Sequence, residues 1–288
     1  MRKALLAVFL LASALGQNVR VVAAADLQYA LTELARAFEA KSPGVKVQLS
    51  FGSSGKFYTQ LTQGLEADLY FSAESLYPRL LEEKGLAEPG TTRPYARGRM
   101  VVWLDRRLGL APGPQALKDP RVTGLALANP VHAPYGRAAV TLLEHYGLLK
   151  RKPVTLPGLK KPFTQLAWEE IPWERLSGGV EAYWDAAPLR AGKRAFTLVY
   201  GENISHAAQL ALTATGAGVL ALPLAVHESL SRPGVYWVAP LESHLALEQS
   251  YVILKGRARP EVLALYRFVG SPEGRAILKR YGFLLPGE

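Results

Sequence analysis

The chain has 288 residues, 49% of them hydrophobic and 20% charged, with a formal charge of +10 and no cysteine. That composition suits one large domain or two lobes, and it excludes disorder, disulfides and lipid attachment at a cysteine. Lys and Arg are scattered, with short clusters only at Lys150-Arg151-Lys152 and Lys160-Lys161, and no RNA- or DNA-binding motif accompanies them, so nucleic acid is not an expected partner.

Met1-Arg2-Lys3, the apolar run Ala4–Leu15 and the small residues Ala14 and Gly16 read as a secretory signal peptide over residues 1–16. The run is too short to span a membrane. An uncleaved N-terminal anchor is the alternative, and the mature protein is expected to be exported, periplasmic and soluble. From Val19 the pattern alternates. A β-rich run Val19–Ala23 precedes Leu27, Leu31, Leu34 and Phe38 at helical spacing, and Pro43-Gly44 stops that helix. A second strand, Val45–Phe51, leads into a helix carrying Phe57, Leu61 and Leu65; Ala67–Phe71 is a third strand. Such alternation predicts an α/β fold with mainly parallel sheets covered by helices.

Met100–Leu104 and Tyr251–Leu254 are apolar strands far apart in the chain, and between them lies a second α/β set with strands at Gly124–Ala128, Leu198–Tyr200 and Gly218–Leu222. Two closing helices follow, one from Pro260 and one from Ser271-Pro272-Glu273, an N-cap with proline at the first helical position. The expected organisation is a discontinuous lobe of residues 17–102 and 249–288, a second lobe of residues 103–248, and a two-strand hinge. Residues at about 150–197 break the rhythm with Trp168, Trp173, Trp184 and several prolines. They read as an insertion with helices around Trp168 and Trp184, most simply extra packing, otherwise a lid or a docking face.

Three strand-to-helix junctions carry the functional signal. Ala128–Ala139 holds Asn129-Pro130 and Tyr135-Gly136; Gly52-Ser53-Ser54-Gly55 follows the second strand; Gly201-Glu202-Asn203-Ile204 follows a later one. Helix N-termini dressed with hydroxyls and glycines make an anion site. Ser53 and Ser54 exceed what capping needs, and their flanking glycines suggest close backbone approach. Asp26 reads as an N-cap carboxylate turned away from an anion, with inward backbone N–H groups. Asn203 is a plausible cap, with Ile204 and Ser205 offering N–H groups; Tyr135 offers its N–H or hydroxyl, or else serves as a packing residue. Arg137 reads as a surface residue, with a counter-charge role as the alternative, and Lys56 as a solvated lysine, with attraction of anions toward the cleft as the alternative. The Gly52–Lys56 segment fails as a nucleotide loop because Phe57 stands where Ser or Thr would hold magnesium, and it lacks the Gly-x-Ser-x-Gly spacing of a hydrolase. The five histidines show no ligand spacing, so no metal cation site is expected.

On Val22–Leu27, Phe51–Gly55, Ala67–Ala73, Asn129–Gly136, Gly201–Ile204 and Arg280–Phe283, in that order, the chain resembles the molybdate-binding proteins of ABC transporters, extracytoplasmic receptors that also take tungstate. The resemblance implies a two-lobed periplasmic-binding-protein architecture (type II-like) that closes on a tetrahedral dianion through uncharged donors, without a cofactor and without catalysis. By motif, the donors fall at the backbone of Asp26, at Ser54 with its neighbour Ser53, at Tyr135, and at Ile204 beside Asn203. The position where some members add a tyrosine hydroxyl looks like Ala221. The implied partner is a membrane permease, and a monomer is expected. A receptor for another oxyanion such as sulfate, an exported two-lobed enzyme, and a sensor docking on a membrane partner are the competing readings.

Overall fold

Strand alternation sorts the side chains of the first strand: Val19, Val21 and Ala23 join one core and Val22 another, on the opposite face. The computed structural model describes residues 17–192 and 195–288, so the segment read as a signal peptide lies outside the described residues. Its strands are β1 (Gln17–Ala24), β2 (Val45–Gly52), β3 (Leu69–Ser72), β4 (Arg93–Arg97), β5 (Met100–Asp105), β6 (Gly124–Ala128), β7 (Lys150–Arg151), β8 (Trp184–Asp185), β9 (Thr197–Gly201), β10 (Ala217–Ala221), β11 (Gly234–Val238) and β12 (Glu248–Ile253). One five-stranded sheet has the order β2-β1-β3-β12-β4 and the other β11-β5-β10-β6-β9.

The sheets share a design. β1 pairs in parallel with β2 and β3, and β12 runs antiparallel to both its neighbours, β3 and β4. In the second sheet β6 pairs in parallel with β9 and β10, and β5 runs antiparallel to β10 and β11. Each sheet is thus mainly parallel apart from one reversed strand. The reversed strands, β5 and β12, are those that carry the chain into a sheet from the other lobe. β5 is fully buried from Met100 to Leu104, as expected of a strand covered on both faces.

Leu31, Leu34 and Phe38 of the helix Gln28–Lys41 are buried against β1 and against the closing helices Pro260–Val269 and Pro272–Arg280. Each such side chain contributes about 1.5–3 kcal/mol by leaving water. Ser271 caps the last helix by accepting from Gly274 N–H at 3.1 Å, as its sequence predicts. Leu65 is different: the helix Ser54–Thr62 ends before it and it is exposed, because Gly64 takes a positive φ of 97° that reverses the chain.

The insertion also departs from expectation. Trp168 lies in a single 3-10 turn, Trp168–Glu170, whereas Trp184, in the short strand β8 that pairs with β7, is flanked as expected by helices, though of one turn each, Val180–Tyr183 and Ala187–Arg190. Prolines at 153, 157, 162 and 172 remove backbone donors too often for longer helices. Its order comes from aromatic packing: Trp173 stacks on Trp184 at 5.7 Å, and Phe163 meets Trp184 edge-on at 5.2 Å. Trp184 also donates to Glu144 at 3.0 Å, tying the insertion to the helix Pro134–His145.

Candidate anion-binding site

β1, β2, β6 and β9 all end at the cleft between the lobes, and each runs into a helix: Gln28–Lys41 by way of the 3-10 turn Ala25–Leu27, then Ser54–Thr62, Pro134–His145 and Ile204–Leu210. The first turn of a helix has N–H groups with no carbonyl of its own to meet. Here those turns face one small cavity, and its lining brings together Asp26, Ser53, Ser54, Tyr135, Asn203 and Ile204. No Lys, Arg or His among the described residues lines it. Among the described residues no group of His, Asp and Glu is gathered to hold a metal ion, and no helix is long and apolar enough to cross a membrane.

The paired serines divide the work. Ser54 Oγ accepts from Ala73 N–H at 3.0 Å, which fixes the oxygen and leaves its proton to be donated. Tyr70 holds the Ser54 carbonyl at 2.8 Å. Ser53 instead donates to the carbonyl of His132 in the other lobe, and Gly55 N–H donates to that same carbonyl at 3.0 Å. A Cβ on Gly55 would come within 2.8 Å of that oxygen, so the glycine admits the opposite lobe. Asn203 caps its helix, accepting from His206 N–H at 3.0 Å, and Ser205 donates to the Ala25 carbonyl across the cleft at 2.9 Å.

Asp26 is not an N-cap. It sits inside the 3-10 turn without a side-chain capping bond, because its carboxylate is drawn into a buried cluster behind the cavity. Oδ2 accepts from Gln249 Nε2 at 2.7 Å, Gln249 also donates to the Tyr135 hydroxyl at 3.2 Å, and Tyr95 donates to Gln249 Oε1. Oδ1 has no partner. Burial lifts the Asp26 carboxyl to about 6, against the hydrogen bond from Gln249. The Tyr135 hydroxyl is thus committed to this cluster, and only its backbone N–H remains for the cavity. Gly98, where the chain crosses between lobes, has no room for a side chain beside Tyr135 and Gln249.

Arg137 is buried, not on the surface: its side chain is 3% exposed. Its guanidinium reaches Glu74 at 2.9 Å and Tyr77 Oη at 2.8 Å on the first lobe, and Glu174 of the insertion at 2.8 Å. It also donates to the carbonyls of Pro130 and Val131, at 3.0 and 3.1 Å, which shapes the loop that presents His132. Burial alone would lower its pKa, but Glu74, Tyr77 and Glu174 together raise it. Burial lifts Glu74 in spite of Arg137. Lys56 is not simply solvated; it pairs with Glu202 across the rim. A stack of Tyr29 on His227, at 3.6 Å, closes another part of the lobe contact.

Sequence reading missed Gln249, Glu74 and Glu174. Gln249 had a signal, since it is a neutral polar residue entering the apolar run of β12 and is wholly buried. The two glutamates had none.

Two lobes joined by two crossings, with helix N-termini around a small cavity in the cleft, are the architecture of a solute-binding protein. The chain belongs to the bacterial extracellular solute-binding proteins, whose family model matches residues 19–284. It is 27% identical over 268 residues to the molybdate-binding protein ModA of Azotobacter vinelandii, covering 92% of this chain and 89% of that one. It is likewise 27% identical over 276 residues to ModA of Rhodobacter capsulatus, covering 95% and 90%. The solved structure of the periplasmic molybdate-binding protein of Azotobacter vinelandii superposes with a TM-score of 0.71 at 26% identity, covering 93% of this chain and 99% of that one. The chain is therefore an extracellular solute-binding protein of the transport class.

Proposed function

We propose that this protein captures molybdate or tungstate outside the cytoplasm and delivers it to an ABC permease by closing its lobes on the dianion. The carrying observation is the cavity itself, where four strand-to-helix junctions meet and, among the described residues, no cationic side chain enters. In this reading the N–H groups of Asp26, Tyr135 and Ile204 and the Ser54 hydroxyl replace the water around the anion, with Ser53 and Asn203 holding the junctions in place. Each charge-assisted hydrogen bond is worth about 1.5–3 kcal/mol, so a few of them offset the loss of hydration. Neutral donors suit a receptor that must release its cargo, since no permanent counter-charge has to be separated from it.

Closure is the signal the permease would read, and the bonds of Ser53, Gly55, Ser205 and Arg137 between the lobes favour it. Relatives named for molybdate over most of the chain support the choice of ligand. The test is a calorimetric titration with molybdate, tungstate, sulfate and phosphate side by side. Saturable, one-to-one binding of molybdate or tungstate is expected, with a rise in melting temperature, since ligand at about 100 times its Kd adds roughly 2.7 kcal/mol. Flat heats for both metal oxyanions, with sulfate bound, would reassign the ligand.

A further inference from the structure

The Asp26 carboxylate stands behind a cavity read as a dianion site. It is 1% exposed, its Oδ2 has an amide for a partner and its Oδ1 has none. Among the described residues no ion pair includes it. The groups facing it are uncharged: Gln249 from β12, Tyr95 from β4 and Tyr135 from the helix Pro134–His145. Tyr29, on the helix after Asp26, turns its hydroxyl to Ser229, and His206, on the helix across the cleft, is exposed and bonded to Glu202 N–H. Among the described residues, Lys56 and Arg137, two cations at the contact between the lobes, are paired with Glu202 and with Glu74 and Glu174.

We propose that Asp26 couples oxyanion capture to proton uptake: as the dianion enters, the carboxyl takes one proton from solution. This rests on the oxyanion reading of the cavity and adds its regulation. With Asp26 ionised, three negative charges would share a small space into which no described cation projects, and like charges at short range in a poorly solvating interior disfavour ionisation. Protonation removes one of them. The carboxyl is already poised for this at about 6 by burial, and the incoming dianion raises it further. A neutral carboxyl also relieves the partnerless Oδ1. The site then selects against ligand at alkaline pH through Asp26, independently of the titration of the anion.

The test uses the full chain and sodium molybdate, with tungstate, sulfate and phosphate in parallel, titrated calorimetrically between pH 6 and pH 9 in two buffers of different ionisation heat. Expected is uptake approaching one proton per anion at pH 8, and affinity falling by up to about tenfold per pH unit above pH 6. Asp26→Asn and Asp26→Ser, each checked by thermal unfolding, should bind without buffer-dependent heat and with a flatter profile. Binding by the natural protein without proton uptake, or an unchanged slope in either folded variant, overturns the proton linkage and leaves the oxyanion reading standing. If none of the four anions binds at any pH, the oxyanion reading falls and the linkage falls with it.

Discussion

Arg137→Met keeps the length and bulk of the side chain and removes its charge and all its donors. Five partners lose a bond: Glu74, Glu174, Tyr77 and the carbonyls of Pro130 and Val131. They are not equal. The Glu174 side chain is 57% exposed, so its ion pair is worth about 0–1 kcal/mol once water and salt screen it. Glu74 is 25% exposed and faces a guanidinium that is only 3% exposed. Breaking such a pair costs up to about 3–5 kcal/mol, chiefly because a half-buried carboxylate is left without a counter-charge. Glu74 and Tyr77 belong to the first lobe and Arg137 to the second, so most of this cost falls on the closed arrangement. Molybdate affinity should therefore drop by about 100-fold. The two carbonyl bonds lie within the second lobe and should appear as a smaller loss of stability in the ligand-free protein. Urea unfolding and calorimetric titration separate the two. Glu174→Gln should change either by no more than about 1 kcal/mol. If Arg137→Met altered neither by as much as that, or Glu174→Gln matched it, the ranking by burial would be wrong.

Ser54→Ala deletes the donor aimed at the cavity and the acceptor of Ala73 N–H; molybdate affinity should fall by about 10- to 150-fold while the protein still unfolds cooperatively. Unchanged affinity would take Ser54 out of contact with the ligand. Asp26, with its carboxyl raised to about 6 in the fold from 3.8, makes the folded state hold more protons than the unfolded one between those values. Its contribution is fully present below about pH 4 and is lost as pH rises through 6, by roughly 3 kcal/mol. Because other carboxyls titrate in the same range, the quantity to measure is the difference between the natural protein and Asp26→Asn in urea unfolding at pH 4, 5.5 and 7.5. A difference that does not change with pH contradicts the burial of an unpaired carboxyl.

The strand–helix alternation, the serine and glycine junctions and the apolar reversed strands were all legible along the chain, because each depends on neighbours within a few residues. Periodicity of 2 or 3.6 and the chemistry of a helix start are local properties, so Ser54, Asn203 and Ile204 could be picked out singly. The insertion resisted the same treatment: its order comes from Trp173 stacking on Trp184, a contact that no repeat spacing announces.

What the chain alone determined was which residues stand at the mouths of the strands. Only the tertiary structure decided what stands behind them. Arg137 looks like any lysine or arginine on a helix until Glu74 and Glu174, 63 and 37 residues away, close over it. Asp26 looks like a cap until Gln249, 223 residues along, takes its carboxylate. Charge and hydrogen bonding depend on distance through space and on the exclusion of water, and both were set when the two lobes came together.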